Sequence, residues 1–229
     1  MDVKAQLRSQ MRTRRRQDAA ADRAAWITAL THDDGPHPDH RSSVGGPWGD
    51  LVSLLPAVGG VVAAFEPVGS EPPADLLMRD LVEGGWVVIV PDPGPERDVI
   101  AWRQVGAVGL SGADHPPKTR ATQQPHTHDE PSASAELGLA TVQVGAGESA
   151  LAEAELVIVP ALAVDRTGTR LGQGGGWYDR ALTFAQPTAP LVAMVNPAEL
   201  LPAGALPRHA HDIPMTHALL PTGLVALNG

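Results

Sequence analysis

The chain has 229 residues, of which 43% are hydrophobic, carries a net charge of −9 and contains no cysteine. That length and apolar content suit one domain with room for insertions, and the lack of cysteine excludes disulfides, thiolate nucleophiles and cysteine metal sites. No run of 18 apolar residues and no apolar signal core are present, so a cytoplasmic protein with no membrane contact is expected.

The charge is uneven. Residues 1–16 hold Lys4, Arg8, Arg12, Arg14, Arg15 and Arg16 against Asp2 alone, which leaves the remainder strongly acidic. An acidic body argues against nucleic acid as the partner.

In chain order, 2–17 lacks glycine and proline and reads as a helix capped by Asp2. Lys4, Arg8 and Arg12 recur every four residues and so share one face. A second helix is expected over 20–31. A polar, turn-rich loop follows at 32–49. "GVVAAF" (60–65) and "WVVIVP" (86–91) read as buried strands. Between them lie the loop "EPVGSEPP" (66–73) and a helix over 73–85 that stops at a glycine pair. An edge strand is expected at 98–105.

Residues 111–136 are polar and proline-rich, which predicts a long flexible insertion. A short helix over 147–155, strands at 156–160 and 190–195, a short helix at 196–202 and a final strand and turn at 213–223 complete the chain. Strands alternating with helices predict a single layered α/β/α domain spanning 1–229, with a mostly parallel sheet and a helical N-terminus. Ligands in such sheets bind at the carboxyl ends of strands.

"RLGQGGGWYDR" (170–180) follows one of those strand ends. A glycine-rich turn opening a helix exposes backbone N–H groups suited to phosphate. Arg170 adds a forked cation, Asp179 offers a magnesium ligand, and Trp177 and Tyr178 present flat faces to a heterocycle. A tight structural turn with core-filling aromatics is the plainer account of the same residues. His126 with His128 and His209 with His211 supply two nitrogens each, too few for a zinc site.

The longer string "VPALAVDRTGTRLGQGGGWYDRAL" (159–182) resembles the signature of the 5-formyltetrahydrofolate cyclo-ligase family, also called methenyltetrahydrofolate synthetases. "KAQLR" (4–8), "FEPVGSEPP" (65–73) and "LPRHAHDIPMTHALLPTG" (206–223) resemble other segments of that family in the same order. The likeness covers most of the chain outside 31–49 and 111–146.

The resemblance implies an enzyme that uses ATP and Mg2+ to convert 5-formyltetrahydrofolate into 5,10-methenyltetrahydrofolate, and that acts as a monomer. It implies Lys4, Arg8 and Arg170 as catalytic cations on the ATP phosphates. The nucleotide loop would be Arg170, Leu171, Gly172, Gln173, Gly174, Gly175, Gly176, Trp177 and Tyr178. Folate would meet Phe65, Glu71 and the segment from Gln173 to Trp177, including Gly174, Gly175 and Gly176. Asp179 and Asp212 would hold magnesium. Glu66 competes with Glu71 for the folate role, and Trp102 is a second candidate for the apolar wall. Arg12, Arg14, Arg15 and Arg16 match no family role and read as a solvated helix face. The family's Gly-Ile-x-Glu/Gln-Pro-type segment has no counterpart in 111–149. A non-catalytic folate- or nucleotide-binding homologue is therefore the alternative, and an ATP-independent enzyme such as a sugar-phosphate isomerase a third reading.

Overall fold

The computed structural model describes residues 2–31, 47–92, 100–107, 139–142 and 150–228. It opens with one helix, α1 (Val3–Thr31), of 29 residues. Two helices were expected here. No glycine or proline occurs between residues 2 and 31, so nothing breaks the hydrogen-bond ladder. Helix α2 (Pro47–Val52) takes the last residues of the expected 32–49 loop, and the rest of that loop lies outside the described residues. So does the whole of 111–136.

The main sheet is built from β1 (Val61–Ala63), β2 (Val87–Pro91), β3 (Trp102–Ala107), β4 (Leu139–Val142), β5 (Ala154–Pro160), β8 (Leu191–Met194), β10 (His217–Leu220) and β11 (Gly223–Ala226). Their spatial order is β11-β10-β8-β5-β1-β2-β3-β4. The run from β10 through β8, β5 and β1 to β2 is parallel. β11, β3 and β4 pair antiparallel. β3 is therefore interior and not the expected edge, because β4, which the sequence reading missed, covers its outer side. Helices α3 (Ala74–Glu83) and α4 (Ala150–Glu153) connect into the central strands.

A second, small sheet is made of β6 (Ala163–Asp165), β7 (Arg170–Leu171) and β9 (Leu200–Leu201), in the order β7-β6-β9. No strand was expected at these positions. Its strands are only two or three residues long, too short to carry a period.

The two faces of the main sheet bury separate cores, as alternation dictates. Leu156, Ile158, Val192 and Met194 join Trp26, Leu30, Leu51, Leu77 and Leu81 on one side. Val157, Val159, Leu191 and Ala193 join Trp102, Leu151, Ala181 and Leu182 on the other. A third, smaller cluster of Met11, Leu162, Ala163, Leu171 and Leu206 lies where the first half of α1 meets the small sheet.

The buried carboxylate of Asp165 holds the turn between β6 and β7 together. It accepts hydrogen bonds from Thr167 N (2.9 Å), Thr167 Oγ1 (2.6 Å), Thr169 N (3.1 Å) and Leu206 N (3.1 Å). Within that turn Gly168 adopts φ +81°, and a Cβ there would lie 2.4 Å from Met215 O. Only glycine fits.

Candidate active site

A cleft of about 420 Å³ opens where β1, β2 and β5 end. Phe65 and Glu66 follow β1, Pro91 closes β2, and Pro160 and Ala161 follow from β5. Arg170 and the glycine loop through Gly176 form one wall, with Trp177, Tyr178 and Asp179 beyond. Lys4 and Arg8 enter from α1, Glu71 from the β1–α3 loop, and Asp212 from the C-terminal segment. Apart from Trp102, every residue that the resemblance implied for the site lines this cleft.

The glycine loop leads into a short helix, α5 (Trp177–Ala181), continued by a 3-10 turn at Leu182–Phe184. The helix that the glycine-rich turn opens thus has only five α-helical residues. Its dipole is correspondingly weak, and loop N–H groups and side-chain cations must supply most of the positive potential. Gly174 (φ +102°) and Gly176 (φ +66°) take left-handed conformations that side-chain-bearing residues rarely adopt.

Three cations of α1 grip the elements beside the cleft. Lys4 Nζ donates to Asp212 Oδ2 at 2.8 Å. Arg8 Nε donates to Gly172 O at 3.1 Å. Arg12 donates twice to Gln173, from Nε to Oε1 (3.1 Å) and from Nη2 to the backbone O (2.7 Å). In a trans peptide the carbonyl and the next N–H point opposite ways. Binding the carbonyls of Gly172 and Gln173 from α1 therefore turns the N–H groups of Gln173 and Gly174 away from the helix.

Arg15 corrects the expectation of a solvated face most sharply. It is 3% exposed and donates to both oxygens of Glu199 at 2.6 Å and to Ala161 O at 2.5 Å. Glu199 also accepts from Asn196 N at 2.8 Å. Arg14 reaches Ala198 O at 3.4 Å. Arg12 and Arg15 were missed because a run of arginines carries no sign of which members face inward. The helical period counted from Lys4 and Arg8 singles out 12 and 15.

The carboxylates are also engaged. Arg170 Nη2 pairs with Asp179 Oδ1 at 2.7 Å, and its other arm reaches Pro160 O at 3.3 Å. Burial works to raise the Asp212 carboxyl. The His209 N–H (2.7 Å) and Lys4 outweigh it, so the group is held below the ordinary carboxylate value. Glu66 is ion-paired with Arg103. Glu71 accepts from Val68 N at 3.1 Å and from Gln173 Nε2 at 3.3 Å.

Trp102, Trp177 and Tyr178 form a connected aromatic wall. Ring centroids are 5.3 Å apart for the tryptophans and 4.9 Å for the edge-on Trp177–Tyr178 pair. Arg170 lies 5.5 Å over the Tyr178 ring. Trp102 does not line the cleft itself but backs Trp177. The Tyr178 hydroxyl and the Trp177 indole N–H are buried without a hydrogen-bond partner among the described residues. Burial, reinforced by the Glu71 charge and opposed by Arg170, pushes the Tyr178 phenol up, so it stays a neutral donor. Orphaned buried donors are costly, and a ligand with acceptor atoms would relieve them.

Among the described residues no group of three or more His, Cys, Asp or Glu side chains could hold a metal. His209 and His211 stack with centroids 5.5 Å apart, whereas His126 and His128 lie outside the described residues. No helix among the described residues is long and apolar enough to cross a membrane.

The chain resembles known proteins over nearly its whole length. The model of the 5-formyltetrahydrofolate cyclo-ligase family matches residues 57–221. A protein named 5-formyltetrahydrofolate cyclo-ligase from Mycolicibacterium smegmatis is 37% identical over 178 residues, covering 77% of this chain and 81% of that one. A mitochondrial 5-formyltetrahydrofolate cyclo-ligase of Arabidopsis thaliana is 35% identical over 81 residues, 32% of this chain and 29% of its own. The fold is similar to that of two solved 5,10-methenyltetrahydrofolate synthetases. The Aquifex aeolicus structure gives a TM-score of 0.60 at 19% identity, covering 99% of this chain and 94% of that one. The Mycoplasma pneumoniae structure gives 0.56 at 15%, covering 96% and 98%. With the signature loop and the cleft it walls now located, the match over 57–221 settles the kinship: the chain belongs to the 5-formyltetrahydrofolate cyclo-ligase family.

Proposed function

We propose that the chain catalyses the ATP- and Mg2+-dependent cyclisation of 5-formyltetrahydrofolate to 5,10-methenyltetrahydrofolate, releasing ADP and phosphate, as a cytoplasmic monomer. The observation that carries this reading is one cleft, lined from a single chain, that sets Lys4, Arg8 and Arg170 against a glycine loop, two aromatic faces and the carboxylates Asp179 and Asp212.

The donor set fits magnesium. It is oxygen-only, and magnesium commonly takes one or two carboxylates together with substrate phosphates and water. Asp179 and Asp212 would hold the ion, which when bound offsets charge on the phosphates. Each carboxylate is paired with a cation, Arg170 or Lys4, that a polyphosphate would draw toward itself.

The reaction needs no protein nucleophile. The formyl oxygen on N5 attacks the γ-phosphorus, and ADP leaves. The carbon becomes a phosphorylated iminium carbon. N10 attacks it and gives up its proton, and loss of phosphate restores a C–N double bond across the new ring. Lys4, Arg8, Arg170 and the loop N–H groups stabilise charge that develops on the phosphates. Phe65, Glu71 and the stretch from Gln173 to Trp177 orient the folate, so that N10 and the formyl carbon meet in line.

The test mixes purified protein with 5-formyltetrahydrofolate and ATP and follows the near-ultraviolet band of the methenyl product. An ATP-dependent rise that chelation of magnesium stops, and that Asp179→Ala lowers by about 100-fold or more, supports the reading. No rise while calorimetry still records ATP and folate binding would replace it with the non-catalytic binding homologue.

A further inference from the structure

Arg12 is exposed, does not line the cleft, and yet makes two hydrogen bonds to the tip of the glycine loop. From there the contacts continue. Gln173 Oε1 accepts from Arg12 Nε at 3.1 Å, Gln173 Nε2 donates to Glu71 Oε1 at 3.3 Å, and Glu71 Oε2 accepts from Val68 N at 3.1 Å. One chain of polar contacts thus crosses the rim of the cleft, from α1 through the glycine loop to the β1–α3 loop.

The direction of this chain is set by Arg12. A guanidinium only donates. It therefore demands the carbonyl oxygen of the Gln173 amide and turns the amide N–H toward Glu71. With the amide reversed, N–H would face N–H on one side and carbonyl would face carboxylate on the other. Removing Arg12 removes the hydrogen bond from α1 that opposes that reversal. An ionised carboxylate offers about four acceptor sites. The rim contacts occupy one on each oxygen of Glu71 and leave the remainder for a ligand.

We infer that Arg12 is a positioning residue for the folate end of the cleft: acting through the Gln173 amide, it holds the Glu71 carboxylate in the orientation that receives N–H donors of the substrate. This rests on the folate role proposed for Glu71. It assigns Arg12 a task distinct from that of Lys4 and Arg8, whose side chains enter the cleft themselves.

The experiment measures 5-formyltetrahydrofolate binding by tryptophan fluorescence, together with KM and kcat, for the full chain and four variants: Arg12→Ala, Arg12→Lys, Gln173→Ala and the Arg12→Ala/Gln173→Ala double variant. Arg12→Ala should weaken folate binding by about tenfold, the scale of a lost hydrogen bond to a charged group. KM for folate should rise in step and by more than KM for ATP, which the loss of the Arg12 contact to the Gln173 backbone O also moves. Arg12→Lys, with a point charge in place of the fork, should lie between. In the Gln173→Ala background the Arg12→Ala change should cost less than about twofold in folate binding, since the side-chain route to Glu71 is already cut and only the contact to the Gln173 backbone O remains. An undiminished tenfold loss in that background, or a loss that appears in KM for ATP instead, would overturn the inference. Absence of turnover in the unmodified chain sinks the proposed reaction but leaves the binding comparison standing. Absence of folate binding sinks both.

Discussion

The two halves of α1 do different work. Its second half is held by packing: Trp26 is fully buried, Leu30 nearly so, and both join the core with Leu51, Leu77 and Leu81. Its first half buries only Met11 among apolar residues and is held by Lys4, Arg8, Arg12 and Arg15 on four separate anchors. Packing of the first kind offers no charge for a polyphosphate to attract. Contacts of the second kind are made by the groups a polyphosphate attracts. The helix is thus packed into the core at one end and tied by cations to the elements beside the cleft at the other.

The largest effects are expected where this contrast is most direct. Trp26→Ala should lower unfolding free energy by about 3–5 kcal/mol, through the cavity and through the Asn196 Oδ1 that loses its 2.9 Å donor. Arg15→Ala should cost a similar amount, about 3–5 kcal/mol, because Glu199 would be left buried without its counter-ion. Urea unfolding would measure both. A cost for Arg15→Ala below about 1 kcal/mol would mean that the buried pair is no anchor and that charge alone does not hold the first half of α1. Gly168→Ala belongs with these, since both its backbone angle and the 2.4 Å approach of Met215 O forbid a side chain. More than about 1 kcal/mol should be lost.

How much of this could be seen beforehand follows the same division. The parallel strands β1, β2, β5 and β8 were legible because they are continuous apolar runs, and the cleft at their ends followed from that. The residues of the glycine loop alone also fit a structural turn, and it is the resemblance carried by the longer string 159–182 that marks the loop as a site. The length of α1 was misjudged although nothing in its sequence breaks it, and the small β7-β6-β9 sheet is too short to leave a pattern. Hardest to see were the anchors made by Arg12 and Arg15. Their neighbours Arg14 and Arg16 are chemically identical, and the helical period that sets 12 and 15 on the face of Lys4 and Arg8 does not say that the face is covered. Asp165 was hidden in the same way, since its four donors come from a turn and from Leu206, 41 positions away.

Intermediate effects should appear at the ligand end. Lys4→Ala leaves the core untouched but takes the cation from Asp212, whose side chain is only 10% exposed, so its stability cost should fall between the about 1 kcal/mol of an exposed pair and the about 3–5 kcal/mol of a buried one. KM for ATP should rise about tenfold, the scale of a lost charged hydrogen bond. Raising salt toward about 1 M, where the screening length falls to about 3 Å, should raise KM for ATP in the unmodified enzyme and much less in Lys4→Ala. If both respond equally, Lys4 is not among the groups that meet the phosphates.

The smallest effect concerns pH, and it separates the two kinds of contact by sign and window. The Asp212 carboxyl is held below its ordinary value because the His209 N–H and Lys4 outweigh burial. The unfolded chain therefore takes up that proton first. The stabilisation is complete above the unfolded value of about 3.9 and is lost as pH falls through the lower folded value. His217, in the packed sheet, is lowered by burial alone and hydrogen-bonds Thr216 at 2.8 Å. Its unfolded value of about 6.5 means that stability declines as pH drops below that point, well before Asp212 is touched. Asp212→Asn should flatten only the limb below about pH 4, whereas His217→Gln should flatten only the decline that starts near 6.5. Urea midpoints taken across that range would resolve the two. A variant that flattened both limbs would show that Asp212 and His217 titrate as a coupled pair and not as independent groups.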